Sequence, residues 1–178
     1  MALKPTIYKL RISLSDLNRD YYDTLNLTLA QHPSETEERM MVRVLAYCLN
    51  AQAGLNFTKG LSAVDEPDIW AHSLDGNLEL WVDVGEPAPE RIKKARGVAR
   101  QVSVYCFNSK ATMWWQLNRP DFERLQVKVM QLDWGQVQHL ASLLQRTMEL
   151  SITISDDSAY VATALGEAEI SFTTLQDS

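Results

Sequence analysis

Hydrophobic and polar positions alternate with a period of two at the start of the chain. Residues 6–14 read TIYKLRISL, and residues 21–31 read YYDTLNLTLAQ. Strict alternation places the apolar side chains of a strand on one face and the polar side chains on the other. The residues between these two stretches, 15–20, are rich in turn formers, so the pattern predicts a β-hairpin.

A helical spacing replaces this alternation after residue 33. Ser34 and Glu37 have the spacing of a capping box, which predicts that a helix begins at Ser34. The helix is expected to end near Gly54, because glycine is common just after the last turn. Its buried stripe is predicted to comprise Met41, Val44, Leu45 and Cys48.

The rest of the chain switches between strand and helix patterns. Asp75-Gly76 is a frequent hairpin turn, and Asp133 is placed to cap a helix. This order predicts one mixed α/β domain over residues 1–178, with helices flanking a sheet. The predicted strands span residues 68–74, 77–84, 101–107, 125–132, 151–155, 159–163 and 168–172, and the predicted helices span 87–100, 133–150 and a segment from 109.

Composition fits a globular protein of the cytoplasm. The 178 residues are 46% hydrophobic, and no apolar run approaches the length of a membrane span. The N-terminus does not resemble a signal peptide. Cys48 and Cys106 fit no metal or redox spacing, so both are expected to be reduced and buried. We therefore expect a cytoplasmic protein that does not contact a membrane.

The net charge of −6 is unevenly distributed. Six of the 23 acidic residues follow Arg146, where no Lys or Arg occurs, so the preceding residues carry 17 acids against 17 basic side chains. An acidic total therefore does not exclude a polyanionic partner, provided that basic residues cluster locally.

The strand at 77–84 carries the acids of greatest interest. Glu79 and Asp83 alternate with an apolar face, and Asp75 lies in the preceding turn. Alternation alone favours a solvated face, and an Asp-Gly turn explains Asp75 without a function. The alternative is a Mg²⁺ site, because Mg²⁺ binds a few carboxylate oxygens together with water. In that alternative Glu38, in the preceding helix, would complete the metal site with Asp75 and Asp83.

A basic helix follows this strand. In ERIKKARGVAR the apolar positions form one face, and the basic side chains lie around it. An ordinary solvated helix face explains the pattern, whereas the functional alternative is a surface that contacts nucleic-acid phosphates. Under that alternative the contacts come from Lys93, Arg96 and Arg100.

Three long stretches resemble the YaeQ family of bacterial proteins. They are TLAQHPSETEERMMVRVLAYCLNA, LSAVDEPDIWAHSLDGNLELWVDVGEP and RIKKARGVARQVSVYCF. The resemblance implies a restriction-endonuclease-like fold, a variant of the PD-(D/E)XK nucleases. In that superfamily, a helical Glu, an Asp and an Asp/Glu-x-Lys strand motif form the site.

Carried over to this chain, the resemblance implies Glu38 as the helical acid and Asp83 as the strand acid. Pro67-Asp68 spells the literal PD, but the SLDG segment favours Asp75 as the middle acid. Gly85 stands where the motif has lysine, so the resemblance implies that Lys94 replaces it. Arg43 and Gln101 are further polar candidates.

Two hypotheses follow. The first is a Mg²⁺-dependent nuclease-like enzyme, in which Asp75, Asp83 and Glu38 hold the metal and Lys94 assists the attacking water. The second is a non-catalytic nuclease-fold module that binds a protein or nucleic-acid partner. The absence of the motif lysine at Gly85 favours the second.

Overall fold

The structure, a computed structural model, describes residues 4–178, except for the side chain of Ser62. It divides into two compact units. Unit 1 contains residues 4–41 and Asp133–Phe172, and unit 2 contains Val42–Leu132 and Thr173–Ser178.

Unit 1 is built on an antiparallel hairpin to which later strands are added. The alternating segments at the start of the chain form this hairpin, as predicted, and Leu10 lies opposite Leu27. The strands are β1 (Thr6–Asp16), β2 (Tyr21–Gln31), β8 (Thr147–Ser155), β9 (Ser158–Thr163) and β10 (Gly166–Asp177), of which β10 belongs to unit 1 as far as Phe172. Their order is β2-β1-β8-β9-β10, and β8 is parallel to β1.

One helix of unit 1 is shorter than its sequence pattern predicts. Helix α4 (Trp134–Ser142) is capped by Asp133, whose side chain accepts a hydrogen bond from the Gln136 N–H as predicted. The prediction that this helix continues to residue 150 is wrong. Met148 and Leu150 are buried on alternate positions of β8 and lie opposite β1. The apolar run fits either period, and pairing with β1 selects the strand.

Unit 2 contains a mixed sheet of five strands and two helices that join its parallel strands. The elements are β3 (Leu55–Phe57), β4 (Ile69–His72), β5 (Leu78–Val84), α2 (Pro89–Val98), β6 (Gln101–Cys106), α3 (Ala111–Leu125) and β7 (Lys128–Leu132). The strand order is β7-β6-β5-β4-β3. The chain reverses between β4 and β5, whereas β5, β6 and β7 are parallel and are joined by helices, as parallel strands require. Gln176, near the end of β10, donates to the Val127 carbonyl beside β7.

Strand β5 lies in the centre of this sheet and is covered on both faces. Trp81 is 6% exposed and Asp83 is 2% exposed. Trp81 belongs to a buried cluster that includes Ile92 of α2 and Phe122 of α3. The prediction of a solvated face is therefore wrong for these two residues, because helices cover the side of the strand that alternation assigns to solvent. Asp83 consequently needs a partner within the protein.

Helix α1 (Glu37–Leu49) begins three residues after Ser34, where the capping-box pattern predicts its start. The Arg39 N–H donates to Thr36 Oγ1 at 3.1 Å, so Thr36 caps the helix. Ser34 contacts His32 instead, with 2.7 Å between its hydroxyl and His32 Nδ1.

This correction can be tested by removing each hydroxyl in turn. Thr36→Ala is expected to lower the free energy of unfolding by about 1 kcal/mol, since the cap of α1 is lost. Ser34→Ala is expected to change it by less than about 0.5 kcal/mol. Urea unfolding followed by circular dichroism measures both values, and a larger loss for Ser34→Ala would restore the capping box.

Candidate functional site

Two acidic side chains meet where β4 begins and β5 ends. Asp68 immediately precedes β4, and the antiparallel register places Ile69 opposite Val82. Asp68 Oδ2 accepts a hydrogen bond of 2.7 Å from the Val84 N–H. Asp68 is 4% exposed and Asp83 is 2% exposed, so the pair is almost completely removed from solvent.

Arg91 of α2 neutralises Asp83. Its Nε lies 2.7 Å from Asp83 Oδ2, and its Nη2 lies 3.3 Å from Asp83 Oδ1. The guanidinium also donates to the carbonyl of Glu66, at 2.7 Å, and to that of Val64. Arg91 therefore holds both oxygens of Asp83 and ties the loop before β4 to α2. This is the bidentate geometry that makes arginine–carboxylate pairs strong.

Burial dominates the electrostatics of Asp83. Removal from water raises the pKa of its carboxyl group, and the negative charge of Asp68 raises it further. The hydrogen bonds and positive charge of Arg91 act in the opposite direction. Arg91 therefore stabilises the ionised form of Asp83 inside the protein.

Asp75 lies in an exposed turn and not beside Asp83. Its carboxylate accepts hydrogen bonds from Ser73 Oγ, at 2.6 Å, and from Asn77 Nδ2, at 3.3 Å. The bond from Ser73 lowers the pKa of Asp75. Strand β5 begins just after this turn, and its length from Leu78 to Asp83 is about 17 Å at a rise of about 3.3 Å per residue.

The structure therefore does not bring Asp75 and Asp83 together. Asp68 occupies the position beside Asp83, and the literal Pro67-Asp68 dipeptide was the sequence signal that could have identified it. Asp75 has the role of a turn-stabilising side chain, which the Asp-Gly pattern also predicts.

The basic residue at Asp83 is Arg91, whereas Lys94 and Lys93 lie on the exposed side of α2. Glu38 is half-buried in the first turn of α1, within unit 1. Arg43 is 5% exposed, and its guanidinium lies 5.6 Å from the centre of the Phe57 ring.

This arrangement does not fit Mg²⁺. Among residues 4–178, no group of three or more His, Cys, Asp or Glu side chains is placed to hold a metal ion. Both oxygens of Asp83 already accept hydrogen bonds from Arg91. A Mg²⁺ ion would need carboxylate oxygens that are open to it and to its water ligands.

A basic cleft of about 510 Å³ lies elsewhere in unit 2, at the amino ends of two parallel strands. Gln101 begins β6 and Lys128 begins β7. Arg96 and Arg100, at and just after the end of α2, complete the basic rim. The cleft therefore brings together three of the residues predicted from the sequence, namely Arg96, Arg100 and Gln101.

The side chains of this basic cleft carry a positive surplus. Arg96, Arg100 and Lys128 line it, and Asp177 is the acidic side chain on its wall. Arg96 Nη1 donates to the Arg100 carbonyl at 3.1 Å, which holds the guanidinium at the end of α2. Arg100 is exposed, and its Nη1 lies 3.6 Å from Glu79 Oε2. Sequence reasoning missed Lys128, because nothing in a strand pattern shows that its first residue faces a cleft.

Comparison with known proteins identifies the family. The family model described as YaeQ protein matches residues 1–172. This chain belongs to the YaeQ family. It is 42% identical to YaeQ of Salmonella typhi over 178 residues, which cover 99% of this chain and 98% of that protein. It is 39% identical to YaeQ of Escherichia coli strain K12, with the same coverage.

Solved structures of the family share the fold. The crystal structure of YaeQ protein from Xanthomonas axonopodis pv. citri has a TM-score of 0.94 and 35% identity, covering 98% of this chain and 99% of that chain. YaeQ protein from Pseudomonas syringae gives a TM-score of 0.92 and 33% identity, covering 97% and 96% respectively. The family resemblance predicted from the sequence is thus confirmed, and the fold is mixed α/β. In the part of the chain that the structure describes, no helix has the length and apolar character needed to cross a bilayer.

Proposed function

We propose that this YaeQ-family protein binds the phosphates of nucleic acid at its basic cleft and does not cut the strand. The observation that carries this proposal is the convergence of Arg96, Arg100 and Lys128 on one cleft. Guanidinium groups suit phosphate oxygens because they donate two hydrogen bonds in a fixed geometry.

The net charge of −6 is compatible with this proposal. Phosphate binding depends on the local field, and that field is positive where three cations face one acidic side chain. Overall acidity weakens non-specific attraction to nucleic acid, so binding is expected to be confined to the cleft.

The buried acids support binding without catalysis. The restriction-endonuclease-like fold that the family resemblance implies would use Asp83 as the strand acid, with Asp75 or Asp68 as the middle acid. Here, however, Arg91 holds both oxygens of Asp83, and Gly85 stands where the nuclease motif has lysine. Such a scaffold would therefore serve as a binding module. A protein partner at the same cleft is less well supported, because the lining is strongly polar and contains few apolar side chains.

The test is fluorescence anisotropy with labelled 20-nucleotide DNA and RNA, single-stranded and duplex, in EDTA. We expect a dissociation constant of about 1–100 μM at physiological salt, and a slope of log K against log salt of about −2 to −3 if each of the three basic side chains neutralises one phosphate charge. Adding Mg²⁺ in place of EDTA is expected to leave the oligonucleotides at full length.

Two results would contradict the proposal. One is the absence of binding by folded protein at low salt. The other is strand shortening that requires Mg²⁺ and disappears in Asp83→Asn, since that result would establish the nuclease hypothesis in place of the binding module.

A further inference from the structure

We infer that the basic cleft takes the phosphorylated end of a single strand, in preference to the interior of a strand or a duplex. This inference rests on the proposed function and specifies the ligand of the same cleft. Size, charge and the nature of the neutral side chains support it.

The size of the cleft suits one nucleotide. Its volume of about 510 Å³ falls within the range of pockets that enclose a single small ligand. A duplex needs a broad surface, because specific protein–DNA interfaces bury about 1,000–2,500 Å² of protein. The cleft is therefore too small to be the footprint of a double helix, and a strand that enters it does so as a single strand.

The charge of the cleft suits a phosphate monoester. A terminal monoester carries about −1.5 to −2 charges near pH 7, whereas each phosphodiester within a strand carries −1. Among the side chains of the lining, three basic groups stand against one acidic group, Asp177, and leave a surplus of about two positive charges. A dianionic end matches this surplus better than one internal phosphodiester does.

The two guanidinium groups differ in how they are held. Arg96 is fixed by hydrogen bonds to the carbonyls of Ala99 and Arg100, at 3.4 and 3.1 Å, so little of its freedom remains to be lost on binding. The Arg100 guanidinium makes a long contact of 3.6 Å with Glu79 at the surface. An exposed ion pair of this kind contributes little to the stability of the protein. Arg100 can therefore leave Glu79 and bind a phosphate with little loss of free energy.

The other side chains of the lining are neutral, and none of them is aromatic among the residues described. Gln101, Ser103 and Gln126 offer hydroxyl and amide groups that can hydrogen-bond a sugar. Without a ring to stack on, a base contributes little to the affinity. The cleft is therefore expected to recognise the terminal phosphate and its sugar without sequence preference.

The experiment compares four 12-nucleotide single strands of one sequence: a 5′-phosphate, a 3′-phosphate, two hydroxyl ends, and a covalently closed circle. One of the two phosphorylated strands is expected to bind about tenfold or more tightly than the hydroxyl-ended strand, as expected for charge-assisted hydrogen bonds. The circle is expected to bind no better than the hydroxyl-ended strand.

Variants locate the effect in the cleft. Lys128→Gln is expected to abolish the preference for a phosphorylated end, and it leaves the contacts at the end of α2 intact. Arg119→Ala removes an equal charge from α3, outside the cleft, and is expected to retain the preference. Thermal melting of each variant establishes that it is folded before binding is compared.

The possible failures are distinguishable. Equal affinity for all four strands would overturn the terminal-phosphate inference and leave the proposed function intact, whereas binding of none would overturn both. Competition by adenosine monophosphate at the same affinity as the phosphorylated strand would assign the cleft to a free nucleotide and overturn the strand-end inference. Retention of the preference in Lys128→Gln would also overturn it.

Discussion

Arg91→Met is expected to lower the free energy of unfolding by about 3 kcal/mol at pH 7, the lower end of the range for breaking a buried ion pair. The lower end applies because the Arg91 side chain is 34% exposed, whereas that of Asp83 is only 4% exposed. The substitution keeps much of the aliphatic packing and leaves Asp83 charged, buried and without its guanidinium. Urea unfolding followed by tryptophan fluorescence measures the loss.

The matched control removes the orphaned charge as well. Arg91→Met combined with Asp83→Asn is expected to recover about half of the lost stability, because the side chain at position 83 is then neutral and no longer needs the guanidinium. Equal stability of the single and double variants would show that Arg91 acts through packing or through its carbonyl contacts with Val64 and Glu66, and would contradict the ion-pair explanation.

The pH dependence of this effect has a definite sign. Burial raises the pKa of Asp83 in the folded protein, and loss of Arg91 removes the charge that opposes the rise. A carboxyl group whose pKa is higher when folded binds its proton more tightly in the folded state. Its contribution to stability is therefore most favourable at low pH and falls as the pH rises towards the folded pKa. The deficit of Arg91→Met is accordingly expected to be larger at pH 8 than at pH 5.

The local patterns predicted most elements because each amphipathic segment has one period. The hairpin of β1 and β2 is an example, since a single buried face makes its alternation unambiguous. The hydrophobic pattern gave wrong predictions where tertiary contacts determine the secondary structure or the burial of a segment. Residues 147–150 fit a helix and a strand equally well until β1 pairs with them, and alternation in β5 could not show that helices cover its second face.

The candidate site was predicted in part for a similar reason. Asp83 was a candidate because the family resemblance implies an acid of the site there, but its partner Arg91 lies eight residues away along the chain and in another element. Arg91 is adjacent to Ile92 and four residues before Ala95, both of which are fully buried. That spacing places Arg91 beside the buried face of α2, from which its long side chain can reach Asp83. The sequence therefore contained a signal for Arg91 that was missed. The composition of the cleft depends on which strand ends lie side by side, and sequence spacing does not reveal that.

Reversing one charge in the basic cleft provides the strongest test of binding. Arg100→Glu is expected to weaken nucleic-acid binding by about 30-fold or more at low salt, since it removes a phosphate contact and adds a repulsive charge. Arg100 is exposed, so the same change is expected to alter stability by no more than about 0.5 kcal/mol. Anisotropy titrations over a series of salt concentrations measure both the affinity and the number of phosphate contacts.

The salt dependence separates a contact in the cleft from a general change of charge. If Arg100 contacts a phosphate, the slope of log K against log salt becomes shallower by about 1 in the variant. Arg119→Glu makes the same change of charge on α3, away from the cleft, and is expected to leave the slope unchanged with less than about a threefold loss of affinity. Equal losses in both variants would mean that nucleic acid responds only to net charge. In that event the cleft would not be the binding site, even though the protein binds.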